Sequence, residues 1–320
     1  MCSSDLYDVI IIGAGPAGLS AGLYCGRSRL NTLIIEKASD GGQIAITDEI
    51  ENYPGGLSNE ESTESGSDLI ARMTRQVAQF GAERVSATVT KVELEYKIKK
   101  VHTHDGVYEA KAVIVANGAH PRLIGCPGEK EFTGRGVSYC ATCDASFFED
   151  FEVYVVGGGD TAVEEAMYIS KFARKVTIIH RRDELRATES IKERASKNEK
   201  IHFMWNSVVT KLDGDGLLSR MTVKDTQTGE ERVVEADPED GLFGVFVFIG
   251  FLPNSELYEG QLEMEDNYII GDERMRTNLK GVYVAGDIRI KPFRQVVTAT
   301  SDGAIAAMQV EHDLAAGELD

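Results

Sequence analysis

The apolar positions near the start of the chain run without interruption. Asp8 is followed by Val9-Ile10-Ile11-Ile12, the pattern of a strand buried on both faces of a parallel sheet. The run stops at Gly13, and a helix pattern follows at once, from Leu19 to Tyr24. A second apolar run, Leu33-Ile34-Ile35, closes on Glu36. Lys111 to Ala116 reads as another buried strand, ending at Asn117-Gly118-Ala119, and Val153-Tyr154-Val155-Val156 leads into a helix that contains Glu164, Glu165 and Ala166. Val245 to Ile249 and Val282-Tyr283-Val284-Ala285 are predicted strands. Ala304 to Leu314 has apolar residues at helical spacing and reads as core packing. Strands that alternate with helices predict an α/β fold with two Rossmann-like nucleotide-binding units.

The glycines between these elements carry the first chemistry. Gly13-Ala14-Gly15-Pro16-Ala17-Gly18 joins strand to helix with the spacing of a dinucleotide fingerprint. Gly13 allows the tight turn, Gly15 lets the backbone approach a pyrophosphate, and Gly18 lets the helix pack closely on the strand. Glu36, at the end of the second strand, is placed to accept hydrogen bonds from a ribose diol and to repel a 2′-phosphate. Gly157-Gly158-Gly159-Asp160-Thr161-Ala162 repeats the spacing, with alanine for the third glycine. Glu36 lies 23 positions after Gly13, and 23 positions after Gly157 stands His180, followed by Arg181, Arg182 and Arg186. Guanidinium groups where an acid would read a ribose diol suit a 2′-phosphate, so this second site is expected to prefer NADP(H) to NAD(H). The alternative is a solvated basic turn.

Just before the second fingerprint stands Cys140-Ala141-Thr142-Cys143, followed by Asp144. Two thiols in reach of two bound nucleotides suggest a relay that converts hydride into dithiol. The rival for any such pair is structural zinc, but a closed zinc site needs about four ligands, and no second pair or nearby histidine supplies them, so no metal is expected. Of the five cysteines, Cys25 lies in the predicted first helix, Cys126 precedes Pro127-Gly128 in a loop, and Cys2 sits near the terminus; none of these three is assigned a function.

At 320 residues the chain suggests about two domains. Pro121, Gly125, Pro127 and Gly128 break regular structure after one strand, and Gly250-Phe251-Leu252-Pro253-Asn254 does so after another. The predicted organisation is a unit of residues 123–249, which carries the dithiol and second fingerprint, inserted into a unit formed by 1–122 and 250–320. Gly55 to Ser67 reads as an acidic surface loop. A net charge of −18 argues against nucleic acid and against anionic membrane surfaces as partners. No stretch reaches the ~18 apolar residues of a membrane span, and Met1-Cys2-Ser3-Ser4-Asp5 lacks a basic signal region, so a cytoplasmic protein is expected.

Taken together, Gly13 to Gly18, Gly41-Gly42-Gln43, Glu51-Asn52-Tyr53-Pro54-Gly55, Cys140 to Asp144, Gly157 to Glu165, His180 to Arg186, Gly286-Asp287 and Arg294-Gln295 make the chain resemble the low-molecular-weight thioredoxin reductases over nearly its whole length. The resemblance implies a homodimer, with FAD in the split domain, NADPH in the inserted domain, and thioredoxin as the disulfide substrate. It implies that Cys143 faces the flavin, that Cys140 attacks the substrate disulfide, and that Asp144 shuttles a proton to or from the departing thiolate; the lesser structural alternative, compatible with that role, is that Asp144 caps the following helix turn. It carries over Pro16, Ala17, Gly42, Gln43, Asn52, Gly118, Gly286, Asp287, Arg294 and Gln295 as FAD contacts, and Asp160 and Thr161 as part of the NADP(H) site. Asn117 departs from the threonine usual before Gly118, and Ala145-Ser146 replaces the glycine that commonly follows the acid. Rival functions are reduction of a peroxiredoxin or another disulfide protein, a ferredoxin-driven version of the same chemistry, and a non-enzymatic flavin or NADP(H) sensor.

Overall fold

The computed structural model describes residues 6–46, 50, 52–55 and 64–319. Cys2, Glu51 and most of the predicted loop between Gly55 and Ser67 lie outside the described residues. The chain divides into two units, Met1–His120 with Leu252–Asp320, and Pro121–Phe251. The divisions fall two residues outside the predicted 123–249 span at each end, because the connecting segments continue as paired extended strands.

The first unit begins with β1 (Tyr7–Ile12), α1 (Pro16–Arg27), β2 (Thr32–Glu36), α2 (Gly66–Gln79), β3 (Glu83–Ser86), β4 (Val89–Glu93), β5 (Lys99–Thr103), β6 (Val107–Val115) and β7 (Ala119–Pro121). β1 pairs in parallel with β2 on one side and β6 on the other, with Ile12 opposite Ile35 and Val115. The apolar run in β1 has a simple cause: Val9 and Ile11 enter the core under α1, while Ile10 and Ile12 enter a second core on the opposite face. β6 starts four residues before the predicted Lys111. Its first half pairs antiparallel with β5 and is partly exposed, so it lacks the continuous apolar signal. β3, β4 and β5 went unpredicted for the same reason.

The second unit follows with β8 (Val137–Ser138), α3 (Ala141–Asp144), β9 (Glu152–Gly157), α4 (Asp160–Ile169), β10 (Lys175–Ile179), α5 (Glu189–Ser196), β11 (Ile201–Met204), β12 (Ser207–Asp215), β13 (Leu217–Asp225), β14 (Glu231–Glu235) and β15 (Gly244–Phe248). Its sheet has the order β11-β10-β9-β15-β8 and is parallel throughout. One face packs on α4 through Ala162, Val163 and Ala166. The other packs on the antiparallel β12-β13-β14 sheet through Leu212, Leu218 and Met221.

The chain returns through β16 (Phe251–Pro253), which pairs with β7, then β17 (Met264–Glu265), β18 (Tyr268–Ile269), β19 (Val282–Val284) and α6 (Val296–Ala315). β19 completes the first sheet in parallel beside β6. α6 starts eight residues before the predicted Ala304, because Gln295 and Thr298 form a reciprocal capping box at its first turn. Gly303 lets α6 lie directly on α1, since a β-carbon there would fall 2.1 Å from the Ala17 carbonyl oxygen.

Candidate active site

Four segments of the first unit converge on its leading fingerprint. Gly13 adopts a φ of +108°, and a β-carbon there would lie 2.4 Å from the Ala116 carbonyl oxygen, so the turn and the segment leading to Gly118 require glycine at this position. Gly18 is equally constrained, its β-carbon position lying 1.8 Å from the Gly13 oxygen. Gly15 stands across from Gly41-Gly42, and Gly41 N–H donates to the Ala14 carbonyl at 2.8 Å. Glu36 ends β2 with Oε2 accepting from Ala14 N–H at 2.9 Å and Oε1 accepting from Ala38 N–H at 3.2 Å.

Gly286 lies against Ala17, and its N–H donates to Asp302 at 3.0 Å. Asp302 is buried and also takes the Lys291 ammonium at 2.8 Å. Asp287 follows with a buried Oδ1 that has no hydrogen-bond partner among the described residues. Burial raises its carboxyl above the usual range; Lys291 and Arg294 oppose the shift and Asp302 adds to it. Arg294 lies over the Tyr268 ring at 4.2 Å, and Asn52 donates to Gln295 at 3.2 Å across 243 positions of sequence. Gln43 is exposed on a 3-10 turn from Gly42 to Ile46. Asn117, the departure from the threonine pattern, accepts from the buried Tyr258 hydroxyl at 2.5 Å.

In the second unit, Gly157 to Ala162 joins β9 to α4. The His180 ring lies beneath this loop: Nδ1–H donates to the Gly157 carbonyl at 3.0 Å, and a β-carbon on Gly158 would fall 2.2 Å from the same nitrogen. His180 is buried, so its ring shapes the loop from below, while Arg181, Arg182 and Arg186 are exposed. Burial holds the imidazole below its ordinary range, with Arg186 and Arg181 adding to the shift and hydrogen bonds opposing it. Among the described residues, none of these three arginines makes an ion pair with a carboxylate. Asp160 accepts the Thr188 N–H at 2.6 Å, Thr161 is exposed, and Ala162 is buried.

Cys140 and Cys143 are joined in a disulfide with their α-carbons 5.3 Å apart, Cys140 at the N-cap position of α3 and Cys143 within its single turn. The Cys140 sulfur lies 3.5 Å from the Thr142 hydroxyl. The Asp144 carboxylate, at the end of α3, accepts from the Ser138 hydroxyl. Ala141 and Ala145 anchor the motif in the core that Ala162 also enters. Burial pushes the Cys25 thiol up to about 12 and that of Cys126 up to about 11, so neither supplies a thiolate at neutral pH. Ser138, Tyr258, Lys291 and Asp302 carried no motif signal, and sequence reasoning missed them.

Two fingerprint turns and a redox-active type of cysteine pair define a nucleotide-dependent disulfide oxidoreductase. Residues 7–303 match the family described as pyridine nucleotide-disulphide oxidoreductase. A thioredoxin reductase of Peptoclostridium litorale is 58% identical over 308 residues, covering 96% of each chain, and one of Bacillus subtilis (strain 168) is 47% identical over 316 residues, covering 98% of this chain and 96% of the other. The crystal structure of thioredoxin reductase from Streptococcus pyogenes MGAS5005 matches with a TM-score of 0.90 at 43% identity, covering 98% of this chain and 100% of that one. The chain belongs to the thioredoxin reductases of the pyridine nucleotide-disulphide oxidoreductase family. The family implies a flavin and a pyridine nucleotide as cofactors.

Proposed function

We propose that this protein reduces the disulfide of thioredoxin, taking electrons from NADPH through FAD to the Cys140–Cys143 pair. The observation that carries the reading is that disulfide, half-exposed and bordered by a carboxylate. FAD fits the first unit: among the described residues, chain neighbours aside, nothing lies within 4 Å of a β-carbon position at Gly118, the Gly41 oxygen alone does so at Gly15, at 3.9 Å, and Asp287 Oδ1 has no hydrogen-bond partner and suits a donor such as a ribityl hydroxyl. NADPH fits the second: Gly159 faces open space at the start of α4, and three exposed guanidinium groups suit a 2′-phosphate.

A bound flavin would supply the two-electron relay between nicotinamide and disulfide. Every other part of the reaction falls to the chain. Gly13, Gly15, Pro16, Ala17 and Gly18 would admit the FAD pyrophosphate, Glu36 would read its ribose, Arg294 and Gln295 would hold the ring system, and Asn52 would add a further contact. Gly157 to Ala162 would admit the NADPH pyrophosphate, and Arg181, Arg182 and Arg186 would hold the 2′-phosphate. Once reduced, the Cys140 thiolate attacks one sulfur of the substrate disulfide, and the substrate's other sulfur leaves. Cys143 then attacks Cys140, restoring the pair and releasing the second substrate thiol. Asp144 passes the proton that each departing thiolate needs. We read the active species as a cytoplasmic homodimer.

Anaerobic titration of the purified yellow protein tests this reading. NADPH is expected to bleach the flavin, NADH to do so only at higher concentration, and added thioredoxin to restore the oxidised spectrum in wild type but not in Cys140→Ser. A flavin that stays oxidised with NADPH points to a ferredoxin-type donor or a sensor.

A further inference from the structure

Ser138 ends β8 two residues before Cys140 and is 5% exposed. Its hydroxyl oxygen lies 2.5 Å from Asp144 Oδ2, accepts the Cys140 N–H at 3.1 Å, and stands 3.2 Å from the Cys140 carbonyl oxygen. A serine hydroxyl has one proton and two lone pairs. With Asp144 ionised, the proton points to the carboxylate, in the distance range of a charge-assisted O–H···O⁻ bond. With Asp144 protonated, the same hydroxyl can accept from the acid while turning its own proton to the Cys140 carbonyl. The Cys140 N–H stays satisfied in both states.

We propose that Ser138 is a positioning residue for the thiol–disulfide exchange, a buried hydroxyl rotor that holds Asp144 beside the cysteine pair in both of its protonation states and ties it to the Cys140 backbone. The proposal rests on the reading of Asp144 as proton carrier. Atoms and electrons balance without a further reagent. The two enzyme thiols give up two protons, the substrate disulfide takes up two electrons and those protons, and the Cys140–Cys143 bond re-forms. Ser138 is neither consumed nor oxidised; its proton only changes acceptor.

Among the described residues, the titratable groups on this turn and on α4 packed against it are the two cysteines and, on α4, Asp160, Glu164, Glu165 and Tyr168. Asp160 is held by the Thr188 N–H, and burial together with Glu164 raises Glu165. Among the bonds of the described residues, it is Ser138 that ties to the Cys140 backbone.

The experiment is the pH profile of kcat with thioredoxin for the FAD-loaded wild type, Ser138→Ala, Ser138→Thr and Asp144→Asn, and for the Ser138→Ala/Asp144→Asn double variant. Removing a donor from the ionised carboxylate raises its pKa, so in Ser138→Ala the limb that Asp144 controls is expected to move up by about one pH unit, with KM for thioredoxin unchanged. Ser138→Thr keeps a hydroxyl and restores the wild-type limb. In the Asp144→Asn background the serine substitution has no further effect on the profile. A uniform fall in kcat with no shift of the limb, or equal effects of Ser138→Ala with and without Asp144, overturns the proposal. If Asp144→Asn itself leaves the limb in place, the reading of Asp144 fails, and this proposal with it. Should Ser138→Ala lose its flavin or its fold, Ser138→Gly removes the same hydroxyl and is held to the same outcomes.

Discussion

At Asp287 a single carboxylate separates what stabilises the fold from what holds a cofactor. Burial raises its pKa above that of the unfolded chain, so its favourable contribution is complete only below the unfolded value and is lost as pH rises through the folded one. Above the unfolded value the group therefore works against folding of the flavin-free protein. Asp287→Asn is expected to stabilise that protein against urea at neutral pH, with the gain shrinking as the pH falls through the raised pKa, while flavin content after purification drops. A variant that is no more stable at neutral pH, or that keeps its full flavin, contradicts this account. His180 shows the limits of reading single residues. Its offset from Gly157 identified the end of the strand, yet only the fold reveals a ring under Gly158 with its guanidinium neighbours outside. Ser138 was illegible for a plainer reason: one serine before a cysteine pair has no periodicity, and its meaning comes from a bond to a residue six positions away.

Among the elements, those buried on both sides were legible and those buried on one side were not. β1, β2 and β9 are near-continuous apolar runs because each lies inside a parallel sheet covered on both faces, and the sequence marks them at once. β14, Glu-Arg-Val-Val-Glu, is almost wholly exposed, and the antiparallel sheet it closes left no comparable trace. The start of α6 was missed because its cap depends on Gln295 and Thr298 rather than on apolar spacing. The contact of α6 with α1 gives an element-scale test. Gly303→Ala would drive a methyl group into the Ala17 backbone, so the helices must separate, costing about 1–3 kcal/mol as overpacking does. The expected result in urea denaturation is a lower midpoint with an unchanged slope. Because Ala17 also abuts Gly286, flavin affinity should fall too. A wild-type midpoint would mean that the two helices have room the geometry denies.

At the scale of the whole molecule, two chemistries are carried on units that the chain connects by only two segments. β7 and β16 pair with each other, Arg122 N–H donates to the Gly250 carbonyl at 2.9 Å, and Gly250 has a φ of +110°. Just inside the first unit, Asn254 N–H donates to Gly118, its side chain bonds Asn117 and His120, and Tyr258 secures Asn117. The polar network fastens the segments on one side of the crossing, and a glycine with positive φ marks the other. A flavin has to receive hydride from the nicotinamide and then meet the Cys140–Cys143 pair, and the second fingerprint and the pair belong to the same unit. The resemblance to the low-molecular-weight thioredoxin reductases implies that the nicotinamide and the pair meet the flavin in turn, and we propose that this unit moves between two arrangements about the paired segments near Leu123 and Gly250. Motions of this kind take about microseconds to milliseconds, fast enough to fit within a catalytic cycle. A disulfide or chemical crosslink between surface cysteines placed one in each unit should abolish turnover with thioredoxin and return it on release. It should spare whichever half-reaction the pinned arrangement permits: flavin bleaching by NADPH, or electron exchange between flavin and dithiol. If thioredoxin is reduced at the wild-type rate with the crosslink intact, one fixed arrangement serves both partners, and the paired strands are a tether rather than a hinge.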